Sequence, residues 1–244
     1  MDDHQLAARL AGSAGGLLTA LQSAGLLAGP ELGDAGDTVA QAWIGRVLTQ
    51  LRPADQVRSE EAARAAGVGE TGRLWIVDPL DGTREFAEAR TDWAVHIALL
   101  EQGELTAAAV ALPGLGELLS TAAPQQLPPI AGPLRIAISR SRPPAFLPEL
   151  VERLDARTVP MGSAGFKAMA VLRGEVHAYL HAGGQYEWDS AAPVGVARSA
   201  GLHTSQLDGS ALEFGKDDPW SPDLLICRPE LADRLLSALA LVAG

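Results

Sequence analysis

The sequence predicts a mixed α+β and α/β fold in two parts: helices followed by an antiparallel meander, then strands that alternate with helices. Three observations carry this. Two helical patterns open the chain, at 4–21 and 39–51. Residues 92–100 set Trp93, Val95, Ile97 and Leu99 against Ala94, His96 and Ala98, which is the period of two expected of a strand. Beyond a stretch holding Pro124, Pro128, Pro129 and Pro133, short apolar runs alternate with helical ones, the pattern of an α/β arrangement. That proline-rich stretch, 122–133, is the best linker candidate. It divides the chain into an N-terminal α+β part, 1–131, and a C-terminal α/β part, 132–244.

Each element follows from its residues. Leu6, Leu10, Leu17, Leu18 and Leu21 among alanines make an amphipathic helix. Gly29-Pro30 and the glycine-containing run 33–37 read as a polar connection. Trp43, Ile44, Val47 and Leu48 then mark a second helix, stopped before Pro53. The apolar run Leu74-Trp75-Ile76-Val77 is a buried strand. Gln102-Gly103 turns the chain into a strand at 105–112, and a further strand lies near 117–121. In the second part, strands are expected at 134–139, 159–161, 176–180 and 224–227, and a helix at 145–154. Ser163 caps a helix that runs through Leu172 and stops at Gly174. Another helix spans 190–200, with Pro193 in its first turn and Gly201 at its stop. A helix over 230–242 closes the chain.

At 244 residues, with 47% hydrophobic and 20% charged side chains, the balance is that of an ordinary globular protein. A formal charge of −11 argues against nonspecific attraction to nucleic acid or to anionic lipid. Cys227 is the only cysteine, so no internal disulfide framework exists; it sits in an apolar run as a small buried hydrophobe. Met1-Asp2-Asp3-His4 is acidic where a signal peptide is basic, and no apolar run approaches the ~20 residues of a membrane span. The expectation is a soluble cytoplasmic protein.

The chemistry concentrates in Asp78-Pro79-Leu80-Asp81-Gly82-Thr83. Asp-Pro and Asp-Gly alone are turn signals. Two carboxylates split by a proline turn at a strand end also make an oxygen-rich corner suited to hard cations such as Mg²⁺. Gly82 and Thr83 add backbone N–H groups and a hydroxyl suited to a phosphate oxygen. Glu60 and Asp189 are further acidic candidates, and a pair of divalent ions on such a set can clamp both the attacking and the leaving oxygen of a phosphate ester. Trp188 reads as packing, and His96 and His177 read as strand residues without metal spacing.

The six-residue run resembles a signature of the inositol monophosphatase-like phosphatases. A second signature of that family is matched by Trp188-Asp189-Ser190-Ala191-Ala192-Pro193 followed by Ala200-Gly201-Leu202, and Ser59-Glu60-Glu61 is similar to its third acidic element. The resemblance implies a layered α/β/α/β/α sandwich of the sugar phosphatase type, and two or three Mg²⁺ ions. Glu60, Asp78, Asp81, Asp189 and the Leu80 carbonyl would hold the ions, with Glu61 behind them. It implies that Glu60 and Thr83, with Asp78, serve catalysis by orienting a metal-activated water; Thr83 could also cap a short helix at 84–87.

Thr83-Arg84-Glu85-Phe86 resembles the bisphosphate nucleotidase branch. That implies hydrolysis of 3′-phosphoadenosine 5′-phosphate to AMP and phosphate. The alternatives are an inositol 1-phosphate or sugar phosphate substrate such as fructose 1,6-bisphosphate, or a weakly active homologue that binds metal and phosphate. On the same resemblance the substrate would meet Asp81, Gly82, Thr83, Arg84, Ser139, Arg140, Ser163, Lys167 and Asp189. Arg140, in Ser139-Arg140-Ser141-Arg142, is the candidate for a second phosphate, against the alternative of a solvated basic loop. One departure stands out. The family's Thr-x-Ala-Asp element reads Thr38-Val39-Ala40-Gln41 here, so a third ion would be held weakly or not at all unless Asp34 or Asp37 substitutes. The family often dimerises, so a homodimer is the expectation.

Overall fold

A computed structural model describes residues 1–60 and 71–242. Glu61 lies outside the described residues.

Two helices open the chain. α1 (Asp3–Ala24) starts where Asp2 Oδ1 accepts a hydrogen bond from Gln5 N, 2.8 Å. α2 (Pro30–Leu51) begins at Pro30, so the run 33–37, expected to be a connection, is helix. The reason is close approach. A Cβ on Gly33 would stand 2.9 Å from Thr83 Cγ2, and one on Gly36 2.8 Å from Phe86 Cε1. Glycine costs about 1 kcal/mol of helix propensity relative to alanine, and here it lets α2 lie directly on the acidic corner.

The first sheet has the order β1 (Gln56–Ser59), β2 (Arg73–Asp81), β3 (Ala94–Glu101), β4 (Glu104–Leu112), β5 (Glu117–Ser120). β1 pairs parallel with β2, and the remaining neighbours are antiparallel. β1 was not foreseen. The second sheet has the order β7-β6-β8-β10-β9, built from β6 (Arg135–Ser139), β7 (Arg157–Met161), β8 (Ala178–Tyr186), β9 (His203–Ser205) and β10 (Trp220–Cys227). β6 runs parallel to both β7 and β8. The three-residue β9 has too little pattern to be read from sequence. The proline-rich stretch 122–133 lies between β5 and β6.

Alternation along the strands explains the layering. Trp75, Val77, Val95, Ile97 and Leu99 pack with Leu6, Leu10, Leu18, Ile44 and Leu48 of α1 and α2. The opposite faces, Leu74, Ile76, Ala94, Ala98 and Leu100, pack on α5 (Ala164–Leu172) and α6 (Glu187–Ser199). Those two helices also cover Tyr179, Leu224 and Ile226 of the second sheet. The far face of that sheet, with Ile136, Leu180 and Leu225, is covered by Leu150 and Leu154 of α4 (Leu147–Leu154) and Leu235 and Leu239 of α7 (Ala232–Leu239). The result is the five-layer α/β/α/β/α sandwich.

Two boundaries differ from expectation in an informative way. α6 begins at Glu187 rather than Ser190, because Asp189 Oδ2 accepts a hydrogen bond from Tyr186 N, 2.7 Å, and closes the first turn around itself. Asp189 therefore lies inside the helix. Pro193 sits in the body of α6, where its missing N–H removes the i+4 donor that the Asp189 carbonyl would otherwise have. α7 starts only at Ala232, after a short 3₁₀ turn at Pro229–Leu231, and His177 precedes β8 instead of lying in it. No helix among the described residues is long and apolar enough to cross a membrane.

Candidate active site

Asp78 and Asp81 are three residues apart, so in a regular strand they would face opposite sides of the sheet. The register changes between them: Asp78 pairs with His96 and Asp81 with Ala94. Three residues of β2 thus oppose two of β3, a bulge that re-aims side chains as bulges do beside functional sites. Both carboxylates then share the face of Ala94 and His96, toward α5 and α6. Asp189 meets them from the first turn of α6. Each of the three offers a carboxylate oxygen, and these oxygens all lie within 4.8 Å of one another.

The electrostatics suit a cation. Burial pushes the Asp78 carboxyl well above its ordinary range, and the charges of Asp81, Asp189, Glu60 and Asp37 add to this. Burial and the Asp81 charge push Asp189 up to about 6. Hard oxygens crowded against their own repulsion are the donor set that Mg²⁺ prefers. Asp78 Oδ1 is already fixed by Leu80 N, 3.1 Å. Glu60 lines the same cavity as this cluster.

Asp81 is the most firmly held of the set. Burial would raise its carboxyl, but the His96 imidazole, Lys167 and the Ser163 hydroxyl together hold it below the usual carboxylate range. Ser163 Oγ donates to Oδ2; Gly165 N donates to the same oxygen, 2.7 Å, and Ala164 N to Oδ1, 3.1 Å. These donors are the opening residues of α5, which Ser163 also caps through Phe166 N, 3.0 Å. His96 Nε2 stands 3.1 Å from Asp81 Oδ2, close enough to pair electrostatically but off hydrogen-bond alignment. Its Nδ1 meets the Trp188 carbonyl at 3.0 Å. Gly165 makes room for the ring, since a Cβ there would lie 2.0 Å from His96 Nε2.

Thr83 does not cap a helix by its side chain. Gly82, at φ 93°, is the N-cap of α3 (Thr83–Ala87), and Thr83 is its first residue. Thr83 Oγ1 lies 3.1 Å from the Leu80 carbonyl and 3.2 Å from Asp37 Oδ2. The acidic partner from α2 is therefore Asp37, one turn before Gln41.

An open cavity of about 830 Å³ spreads from this cluster, a volume within the usual range for small-molecule sites. Its wall includes every residue expected to touch metal or substrate: Glu60, Asp78, Leu80, Asp81, Gly82 and Thr83 at the acidic end, then Arg84, Ser139, Arg140, Ser163, Lys167 and Asp189.

The inositol monophosphatase family profile matches residues 31–129 and 130–241. A Mycobacterium bovis 3′-phosphoadenosine 5′-phosphate phosphatase is 52% identical over 222 residues, covering 86% of this chain and 82% of the relative. The chain belongs to the inositol monophosphatase family. The Mycobacterium leprae 3′-phosphoadenosine 5′-phosphate phosphatase is 46% identical over 254 residues, covering 98% of this chain and 94% of the relative. Among solved structures, CysQ from Bacteroides thetaiotaomicron superposes with a TM-score of 0.79 at 22% identity, covering 91% of this chain and 96% of that one. That likeness speaks for the fold.

Within this member of the inositol monophosphatase family, several cavity residues already have internal partners. Arg140 donates to Glu85 Oε1 and Glu88 Oε2, both 2.7 Å. Arg142 lines the same cavity and has no carboxylate in ion-pair range among the described residues. Ser139 Oγ accepts from Arg142 N, 3.1 Å, and shapes the loop. Lys167 is buried, which pushes its ammonium down to about 8 against the pull of nearby Asp81. Its Nζ donates to the carbonyls of Gly162, 2.8 Å, and Ser163, 2.6 Å, so it braces the start of α5. Trp188 is packing, 4% exposed, as expected.

Sequence reasoning missed His96, and it missed Arg58 with Glu187. His96 had a signal: it is the one polar residue on the small-residue face of β3. Arg58 and Glu187 form a fully buried ion pair, 2.7 Å, between the end of β1 and the start of α6. Nothing local marks either residue.

Proposed function

We propose that this chain is a Mg²⁺-dependent 3′-phosphoadenosine 5′-phosphate phosphatase, releasing the 3′-phosphate and leaving AMP. The observation that carries the reaction type is the meeting of Asp78, Asp81 and Asp189 in an open cavity. The substrate is taken from the name of the mycobacterial relatives. The proposal keeps the cytoplasmic location and the homodimer expected from the sequence.

Asp78, Asp81, Asp189, Glu60 and the Leu80 carbonyl would hold two or three Mg²⁺ ions. When bound, such ions offset phosphate charge and make nearby water more acidic. The remaining work belongs to the chain. Thr83 Oγ1 can give its one hydrogen to Leu80 O or to Asp37 Oδ2, which would leave its lone pairs to orient a water beside the acidic cluster. Glu60, which lines the same cavity, would share that task. The Ser163 hydroxyl and the first amides of α5 keep Asp81 ionised and fixed. Arg142, rather than the doubly paired Arg140, would take a second phosphate, since binding there breaks no ion pair among the described residues.

The test is phosphate release with Mg²⁺ from 3′-phosphoadenosine 5′-phosphate, inositol 1-phosphate and fructose 1,6-bisphosphate. The nucleotide should give the highest kcat/KM. A preference for inositol 1-phosphate would refute the substrate, and equal turnover after chelation of metal would refute the mechanism.

A further inference from the structure

We infer that Tyr186 and Trp220 form a nucleobase subsite at the rim of the cavity, with the two rings stacking on the base. The inference rests on the nucleotide reading above and names the part of the site that would hold the base.

Two observations lead to it. First, exposed aromatic rings are rare in this chain, which is 5% aromatic. Trp43, Tyr186 and Trp220 are the large aromatics exposed among the described residues, and two of these three line the cavity. Trp43 is on the outer helices, with its Nε1 donating to Ser13 Oγ, 2.9 Å.

Second, both rings at the cavity are held from behind. Tyr186 stacks on the buried Trp188, with centroids 4.7 Å apart and planes 12° from parallel, yet is itself 47% exposed. Trp220 pairs with Tyr186 across β8 and β10 and is 46% exposed. Its indole lies on Gly184: a Cβ there would sit 2.6 Å from Nε1 and 2.9 Å from Cε2 and Cζ2. Gly184 has φ 91°, and the ladder shifts register between Ser221 and Asp223, so the strand ends are shaped to seat the indole. A ring backed on one side and open on the other is a stacking platform, and base stacking on such rings is indifferent to base identity.

An inositol or a simple sugar phosphate offers no flat π face to such rings.

The test compares 3′-phosphoadenosine 5′-phosphate with 1-deoxyribose 3,5-bisphosphate, which keeps both phosphates and lacks the base. Tyr186→Ala and Trp220→Ala should each lower kcat/KM on the nucleotide, chiefly through KM, by about ten-fold or more beyond any loss on the base-free compound. Trp220→Phe should recover most of the nucleotide activity, because a face remains. Equal losses on the two substrates would overturn the subsite. A wild type that hydrolyses both compounds equally well would overturn the subsite alone. A wild type that hydrolyses neither would overturn the nucleotide reading itself.

Discussion

The buried pair Arg58–Glu187 gives a prediction whose size follows from its geometry. Arg58 Nη1 donates to Glu187 Oε2 at 2.7 Å and to the Lys216 carbonyl at 2.8 Å, and Glu187 Oε1 accepts from Lys216 N at 3.1 Å. The side chains are 1% and 0% exposed, so water cannot replace a lost partner. Arg58→Met leaves the Glu187 carboxylate with one backbone donor in a dry interior. Breaking a buried pair from one side costs about 3–5 kcal/mol. At ~2–4 °C per kcal/mol for a chain of this size, the melting temperature should fall by roughly 6–20 °C. Arg58→Met combined with Glu187→Leu removes the orphaned charge and should restore most of the loss, since apolar replacement of a whole buried pair is often neutral or stabilising. Urea unfolding of the wild type, both single variants and the double variant at neutral pH closes the cycle. A single-variant loss under about 1 kcal/mol, far below the cost of an orphaned buried charge, would refute the reasoning. So would a double variant no better than the worse single one. The pair joins the strand leading to Glu60 to the helix carrying Asp189. For that reason the restored double variant should still need more Mg²⁺ for half-maximal turnover than the wild type.

Three further outcomes are expected. Mg²⁺ at about 100 times its Kd should add about 2.7 kcal/mol of stability, or roughly 5–11 °C by calorimetry, and Asp81→Asn should remove most of that increment; an unchanged increment would place the ions elsewhere. Gly165→Ala puts a Cβ 2.0 Å from His96 Nε2 and must displace the ring that sits against Asp81; turnover at saturating Mg²⁺ should fall about 100-fold, the scale of an ångström's misplacement, and normal kcat would show that His96 does not position Asp81. For Asp92, burial alone would raise the carboxyl, but Arg90, at 2.7 and 2.8 Å, and Gly162 N, at 2.7 Å, hold it below the usual range. A depressed folded value stabilises above the unfolded pKa, about 3.9, and the effect is lost as pH falls through the folded value. The stability gap between wild type and Asp92→Asn should therefore be flat from about pH 5 to 8 and narrow below about pH 4; a gap of the same size at pH 3 would contradict this.

What the sequence by itself determined is what short-range chemistry encodes. The period of two across 92–100 set a strand with two unlike faces, and Ser163 announced the start of α5. The acidic corner and the tryptophan–aspartate signature, in order along the chain, sufficed for the family and named the three carboxylates that the fold gathers, Asp78, Asp81 and Asp189. What only the tertiary structure decided depends on contacts with no local trace. The sheet register fixed the parity of Asp78 and Asp81, because a bulge is a property of two strands. Packing of α2 on α3 made helix of the glycines at 33 and 36 and brought Asp37, 46 residues away, to Thr83. Glu85 lies 55 residues from Arg140, and that pairing occupies the arginine expected to meet a second phosphate. Arg58 and Glu187 are 129 residues apart. A side chain's partner at such separations is chosen by how layers stack. The energy that chooses it, burial of charge and exclusion of water, does not exist until the layers have formed.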